Sequence, residues 1–400
     1  MSIKKFSEKF IESLLMLSST ITTLTVVLIV FFLFKEGVGV FDKKPVEQGY
    51  VIAINKNNPV QKISSEAIKN IYDQKITHWN QLGGTPDSIV LFRLEDISNF
   101  YSDEEIGENF EGLSTCISRL VDSLPDIIAF FPDKYLDKNF KGKQLEIDKI
   151  SLKEFFRGKE WFPTAQPSAQ LGVLPLILGT LWVSLGAILL ALPLGLAAAV
   201  YMSEIANDKV RRIMKPLIEL LAGIPSVVYG FFGLVIIVPF IQKTFDLPVG
   251  ETGLAGSIVL GIMALPTIIT ISEDAMRNTP RAMKEASLAL GASKWQTIYK
   301  VVVPYSISGI TAGAILGIGR AIGETMAVLM VTGNAAVIPH SILEPVRTIP
   351  ATIAAELGEA PNGGLHYKAL FALGCILFLI TLFINLTVEF ISSRNKYNKH

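Results

Sequence analysis

The chain has 400 residues, half of them hydrophobic, with 36 basic and 36 acidic side chains and a formal net charge of zero. Bulk charge therefore points to no nucleic acid or other charged partner, and the balance suits an integral membrane protein carrying a sizeable water-exposed part. Cys116 and Cys375 lie far apart in segments of different kind, which argues against a disulfide, and His78, His340, His366 and His400 have no metal-ligand spacing.

Six stretches reach the ~20 apolar residues that a hydrocarbon core demands. They cover residues 11–35, 171–201, 215–242, 252–273, 306–333 and 367–392. The first is too long for a cleavable signal peptide, lacks a small-residue cleavage pattern and continues into Phe34-Lys35-Glu36. Residues 41–165 follow, a segment of ordinary globular composition. It mixes a strand-like run at Tyr50-Val51-Ile52-Ala53-Ile54, a helical pattern over Ser65 to Tyr72 and a turn at Leu82-Gly83-Gly84, so a small α/β domain is expected. The second, third and fourth spans contain Pro193, Pro225 and Pro266, which a helix bundle tolerates.

Lysine and arginine in short loops set the expected orientation. They gather at Lys4, Lys5 and Lys9, at Lys209, Arg211 and Arg212, at Arg277, Arg281, Lys284, Lys294 and Lys300, and at Arg394, Lys396 and Lys399. All four groups fall on one side of a six-span chain. That places both termini in the cytoplasm and the 41–165 insert outside it.

Within the fifth span, Arg320 and Glu324 stand in an otherwise apolar run from Ser306 to Val331. A charge at bilayer depth costs at least ~2.5–3.5 kcal/mol, so both face protein or water and mark a route for a polar solute. On a continuous helix the two positions share one face. Arginine offers a planar fork of donors to a tetrahedral oxyanion, and a carboxylate accepts a hydrogen bond from the O–H that phosphate keeps at neutral pH and sulfate does not. Thr325 adds a hydroxyl. The alternative is that the two charges neutralise each other and lock the bundle. Gly313 and Gly317, four apart, are expected to let membrane helices pack closely.

The loop 276–305 carries the most specific motif: Glu285-Ala286-Ser287, then Gly291, then Val301, Val303 and Pro304. It resembles the EAA loop of bacterial ABC importer permeases, with Ser287 in place of the second alanine. Further stretches narrow the resemblance to phosphate-specific permeases of the PstC type. They are Leu171 to Glu204, Gly223-Ile224-Pro225-Ser226-Val227-Val228-Tyr229-Gly230, Ser272-Glu273-Asp274-Ala275 and Gly319 to Ala327, with Phe156-Arg157-Gly158 ahead of them. Residues 50–84 are similar to part of a periplasmic phosphate-binding protein, but Arg93 is followed by Leu94-Glu95-Asp96 rather than the Ser-Gly-Thr cluster that grips the anion in that family.

The resemblance implies a mainly α, polytopic fold of the type I ABC importer permease class with six transmembrane helices. Residues 1–40 form the N-terminus and first span, 41–165 a degenerate binding-protein-like insert, and 166–400 the permease core. It implies no enzyme activity and no cofactor on this chain; ATP is used by partner ATPase subunits docked at Glu285, Ala286 and Gly291, and no Walker sequence is present here. A second permease subunit, an extracytoplasmic phosphate-binding protein, phosphate and membrane lipid complete the expected partners, in a bacterial inner membrane. Import of another oxyanion and a membrane sensor using the insert remain the competing readings.

Overall fold

A computed structural model describes residues 3–107 and 109–397. Lys399 and His400 lie outside the described residues, as do the side chains of Lys4, Lys5, Arg394 and Lys396. The chain divides into two compact units: 1–158 with 162–172 and 359–372, and 159–161 with 173–358 and 373–400.

The first unit opens with helix α1 (Ile3–Val38). From Lys9 onward most of its apolar side chains are exposed, Met16 and Phe31 among them, as lipid contact requires. A four-stranded sheet follows, built from β1 (Tyr50–Ile54), β2 (Val90–Arg93), β3 (Ile127–Pro132) and β4 (Lys143–Gln144) in the order β2-β3-β1-β4. Strand β3 runs antiparallel to β1 and parallel to β2. Alternate residues point to opposite faces, so Ile52, Ile54 and Ile128 join one core cluster while Ala53, Ala129 and Phe131 join another. Helix α2 (Ser65–Tyr72) starts where Ser64 Oγ accepts from Ala67 N, and helix α3 (Leu113–Ser123) packs Ile117 and Val121 into the second cluster. Burial of Trp79 and Phe131 on opposite sides makes this a folded domain rather than a loop. The strand and helix expected at 50–54 and 65–72 are found there.

The second unit is helical: α4 (Leu174–Val200), α5 (Asp208–Ala222), α6 (Ser226–Phe232), α7 (Val238–Phe245), α8 (Gly253–Arg277), α9 (Arg281–Ala289), α10 (Lys294–Thr297), α11 (Val303–Gly323), α12 (Met326–Val331) and α13 (Ile349–Glu356). Helix α14 (Leu365–Tyr397) follows, its residues from 373 onward belonging to this unit. Helix α8 is the centre of this unit and the most buried of its spans. Small residues permit that burial. A Cβ added at Gly317 would lie 2.8 Å from Ile268, and one at Gly313 would lie 3.2 Å from Ile271, so the expected close packing is observed between α11 and α8.

Six stretches among the described residues are long and apolar enough to cross a membrane: Lys9–Asp42, Leu174–Ile205, Ser226–Phe245, Gly253–Arg277, Lys294–Gly323 and Leu365–Phe390. The expected boundaries shift, and two of the shifts bear on the site. The third span does not begin at 215. Pro225 cannot donate to a helix ladder and disfavours helical backbone at Ile224, so Gly223-Ile224-Pro225 ends α5 and starts α6. Helix α5 is instead amphipathic, exposing Ile213, Leu217 and Leu220 on one stripe. The fifth span also stops early, at Gly323, because the backbone turns extended at Glu324.

Candidate functional site

Helix α11 carries Arg320 in its last turn, where a cation is favoured by the negative end of the helix dipole. Glu324 then adopts extended backbone, φ −69° and ψ 133°, and Thr325 follows before α12 begins. Arg320 and Glu324 consequently flank a helix break and do not share a helix face. Glycine at 319 and 323 lowers the cost of leaving the helix. The carboxylate is engaged locally, where Ala327 N donates to Glu324 Oε1 at 3.5 Å at the start of α12. Thr325 Oγ1 turns back to donate to Gly323 O at 3.3 Å.

All three side chains are partly exposed. Among the described residues no ion pair within 4.0 Å joins Arg320 to Glu324, so mutual neutralisation is not the arrangement found. A Cβ built on Gly319 or Gly323 meets nothing within 4 Å, and Met326 and Leu316 are exposed. Arg320, Glu324 and Thr325 thus stand beside an open surface of this chain, with a cation and an anion presented from opposite ends of a break.

The residues of the 276–305 loop are placed by two short helices. Helix α9 exposes Glu285 and Ala286. Its C-terminal turn closes with Leu290 N donating to Ala286 O at 3.1 Å and Ala292 N donating to Ser287 O at 3.2 Å. Gly291 has φ +84°, the left-handed conformation that glycine adopts without steric cost. Ser293 and Gln296 then cap α10 reciprocally, at 2.8 and 3.2 Å. Pro304 occupies the first turn of α11, a position that tolerates proline's lack of an N–H. Ser287 Oγ, in the position of the second alanine of the motif, hydrogen-bonds Thr297 Oγ1 at 3.0 Å and fastens α9 to α10. Met283, Leu288, Leu290 and Trp295 are all exposed here, Leu290 by 89%. Apolar side chains in a charged loop were the available signal for this surface, beyond the motif itself.

A polar cluster of another kind was not singled out by sequence reasoning. Glu273 in α8 is fully buried, and its Oε2 accepts from Lys215 Nζ at 2.8 Å. Lys215 also donates to Asp274 at 2.7 Å, and these two carboxylates, Asp274 first, hold its ammonium above the usual lysine range. The only sequence cue was a carboxylate at the end of an apolar span, together with basic residues four apart at 211 and 215.

In the insert, the Arg93 guanidinium lies over the Tyr72 ring at 5.2 Å, and Arg93 N donates to Asp96 Oδ2 at 3.0 Å. Burial pushes the Tyr72 hydroxyl upward, with Arg93 opposing. Trp79 is a core residue whose Nε1 donates to Asp126 O at 2.8 Å.

Residues 191–397 match the family model described as binding-protein-dependent transport system inner membrane component. The chain belongs to that family of transport permeases. A probable ABC transporter permease protein, YqgH of Bacillus subtilis, is 41% identical over 62% of this chain and 81% of its own length. The phosphate transport system permease protein PstC of Mesorhizobium japonicum is 39% identical over 58% of this permease and 75% of its own length. Residues 37–129 match a PBP superfamily domain. Among solved structures, the inward-facing MetNI methionine ABC transporter aligns with 56% of this permease and 94% of that chain at 20% identity, with a TM-score of 0.42. The permease is a mainly α integral membrane protein with a small α/β region near its N-terminus.

Proposed function

We propose that this permease is the transmembrane subunit of an ATP-driven inorganic phosphate importer in a bacterial inner membrane, with both termini cytoplasmic. It works beside a second permease subunit and two ATPase subunits, receives phosphate from an extracytoplasmic binding protein, and holds no cofactor itself. The observation that carries the reading is the break at the end of the fifth span. Arg320 and Glu324 are presented there on an open surface that a second permease subunit closes into a path. Phosphate as the solute is supported by the 34–39% identity to permeases named for phosphate transport.

The chemistry follows from the donor set. Arg320 gives its fork of N–H donors to two phosphate oxygens, Glu324 accepts from the protonated phosphate oxygen, and Thr325 contributes a rotatable hydroxyl. Sulfate, with no proton to offer, meets an unanswered negative charge. At the other end, Glu285, Ala286 and Gly291 shape a loop whose exposed Leu288, Leu290 and Trp295 fit an apolar groove of the ATPase. ATP-driven closure moves this loop and alternates access at the break. The 41–165 insert serves docking or assembly. In support, the stretch 94–111 contains acidic residues and no lysine or arginine, which disfavours an anion site there.

Uptake by proteoliposomes of the assembled complex tests the site through Glu324→Gln. We expect phosphate uptake to fall and the preference for phosphate over sulfate to shrink; unchanged rate and preference in an intact complex would remove Glu324 from the path.

A further inference from the structure

Between the docking loop and the break at Glu324 there runs a line of contacts. Its first link is an ion pair: Lys284 in α9 meets Glu204 at 2.6 Å, both partly buried. Glu204 belongs to a π-helical turn, Tyr201–Ile205, at the end of α4. The same turn offers its carbonyls to Arg211 of α5, whose Nη2 donates to Met202 O at 2.7 Å and Ser203 O at 3.1 Å. Arg211 Nε also lies 3.9 Å from Glu273 Oε1, and Lys215, one turn further along α5, bonds Glu273 Oε2. Helix α5 is thereby fixed both to the π turn and to α8.

From α5 the line continues without charge. Tyr229 Oη in α6 donates to Leu221 O at 2.7 Å, tying α6 to the end of α5 across the Gly223-Ile224-Pro225 break. Helix α6 then touches α12 at Gly230, where a Cβ would lie 2.9 Å from Ala327 Cα and 2.8 Å from Met330 Sδ. Ala327 N is the group that Glu324 accepts from.

One member of this line is unlike the rest. Glu273 has no solvent exposure, and its Oε1 has no hydrogen-bond partner among the described residues, although Arg211 and Arg277 each stand 3.9 Å away. A buried carboxylate oxygen that lacks a donor, with two guanidiniums just beyond bonding distance, has a second arrangement within reach: Arg277 closes on it, or Arg211, whose Nε now donates to Met202 O at 2.9 Å, gives up that bond to do so. Arg277 lies four residues before α9, so a displacement of the loop moves that guanidinium directly.

We propose that Glu273 is the positioning residue through which displacement of α9 reaches Glu324, its Oε1 exchanging between Arg277 and Arg211 as the loop moves. The proposal rests on the assignment of the 276–305 loop as the surface that receives the ATPase.

The test uses the assembled complex in proteoliposomes with Glu273→Gln, Lys215→Met and Lys215→Arg, measuring ATP hydrolysis and solute accumulation together. Coupling free energies between sites correspond to about 5- to 150-fold effects, so Glu273→Gln and Lys215→Met should lower accumulation per ATP by at least about fivefold, with basal hydrolysis retained and Lys215→Arg near the unsubstituted ratio. An unchanged ratio, or hydrolysis and accumulation lost in equal proportion, overturns the relay. A second measurement needs neither solute nor ATPase: amide hydrogen exchange on the full chain in nanodiscs. Glu273→Gln should speed exchange at 208–222 and at 326–331, while 174–200 keeps its protection. Protection of 326–331 unaffected by the substitution contradicts the relay even if phosphate is the wrong solute, and faster exchange there supports it even if unsubstituted vesicles take up no phosphate.

Discussion

Replacing Gly291 isolates one physical term. Its φ of +84° lies in the left-handed region, and a Cβ added there meets no heavy atom within 4 Å, so a side chain is penalised by backbone conformation alone and not by crowding. For an ordinary L-residue the left-handed penalty is about 1–2 kcal/mol; asparagine, whose short side chain bonds locally, tolerates it better. Since about 1.4 kcal/mol is tenfold in affinity, Gly291→Ala and Gly291→Val should weaken ATPase-subunit binding by about 5- to 30-fold, with Gly291→Asn close to the unsubstituted chain. The assay is titration of the purified ATPase subunit onto the permease in nanodiscs, followed by surface binding. Valine binding as well as glycine, or asparagine binding as poorly as valine, would refute the claim that the left-handed turn shapes the docking surface.

Leu290→Asp and Trp295→Glu should abolish ATPase binding while leaving the thermal midpoint of the permease within measurement error, because both side chains are exposed; a lowered midpoint would mean that they hold the loop together. Gly230→Val places added carbon against Ala327 and Met330 and should destabilise the chain by about 1–3 kcal/mol, read as a lower unfolding midpoint. In the insert, burial raises the Glu154 carboxyl above its ordinary value of 4.5. The folded state then holds that proton more tightly than the unfolded one, so protection of the insert against hydrogen exchange should decline as pH rises from about 4.5 through the raised value. Glu154→Gln should flatten that decline, and an unchanged pH profile counts against Glu154 as its source.

The local order of the insert was legible because each element carries its own cause. Strand β1 is a five-residue run of apolar and β-branched side chains, and Ser64 caps α2 at the position where a helix start was expected. The membrane spans were legible by length, but their ends were not. Residues 215–222 are apolar enough to extend the third span, yet Lys215 is drawn toward Glu273 and Asp274, and Pro225 ends the continuity. At the site, spacing of four between Arg320 and Glu324 reads naturally as one helix face. Only the backbone reveals that Glu324 has left the helix to bond Ala327 N. The Glu273 cluster was illegible for a plainer reason: Lys215 lies 58 positions away in sequence, and pattern reading finds neighbours one turn apart, not partners across a bundle. Gly291 is the opposite case, since a glycine between two short helical patterns announces a left-handed turn, and its φ has that sign.

The central claim is that the break between Arg320 and Glu324 passes protonated oxyanions under the drive of ATP consumed by a separate subunit. ATP-dependent uptake of labelled phosphate by the reconstituted complex, with unlabelled sulfate or phosphate as competitor, measures it directly. Uptake that requires ATP, is suppressed by unlabelled phosphate and withstands excess sulfate is the predicted result. Uptake displaced equally well by sulfate, or proceeding without ATP, would contradict it.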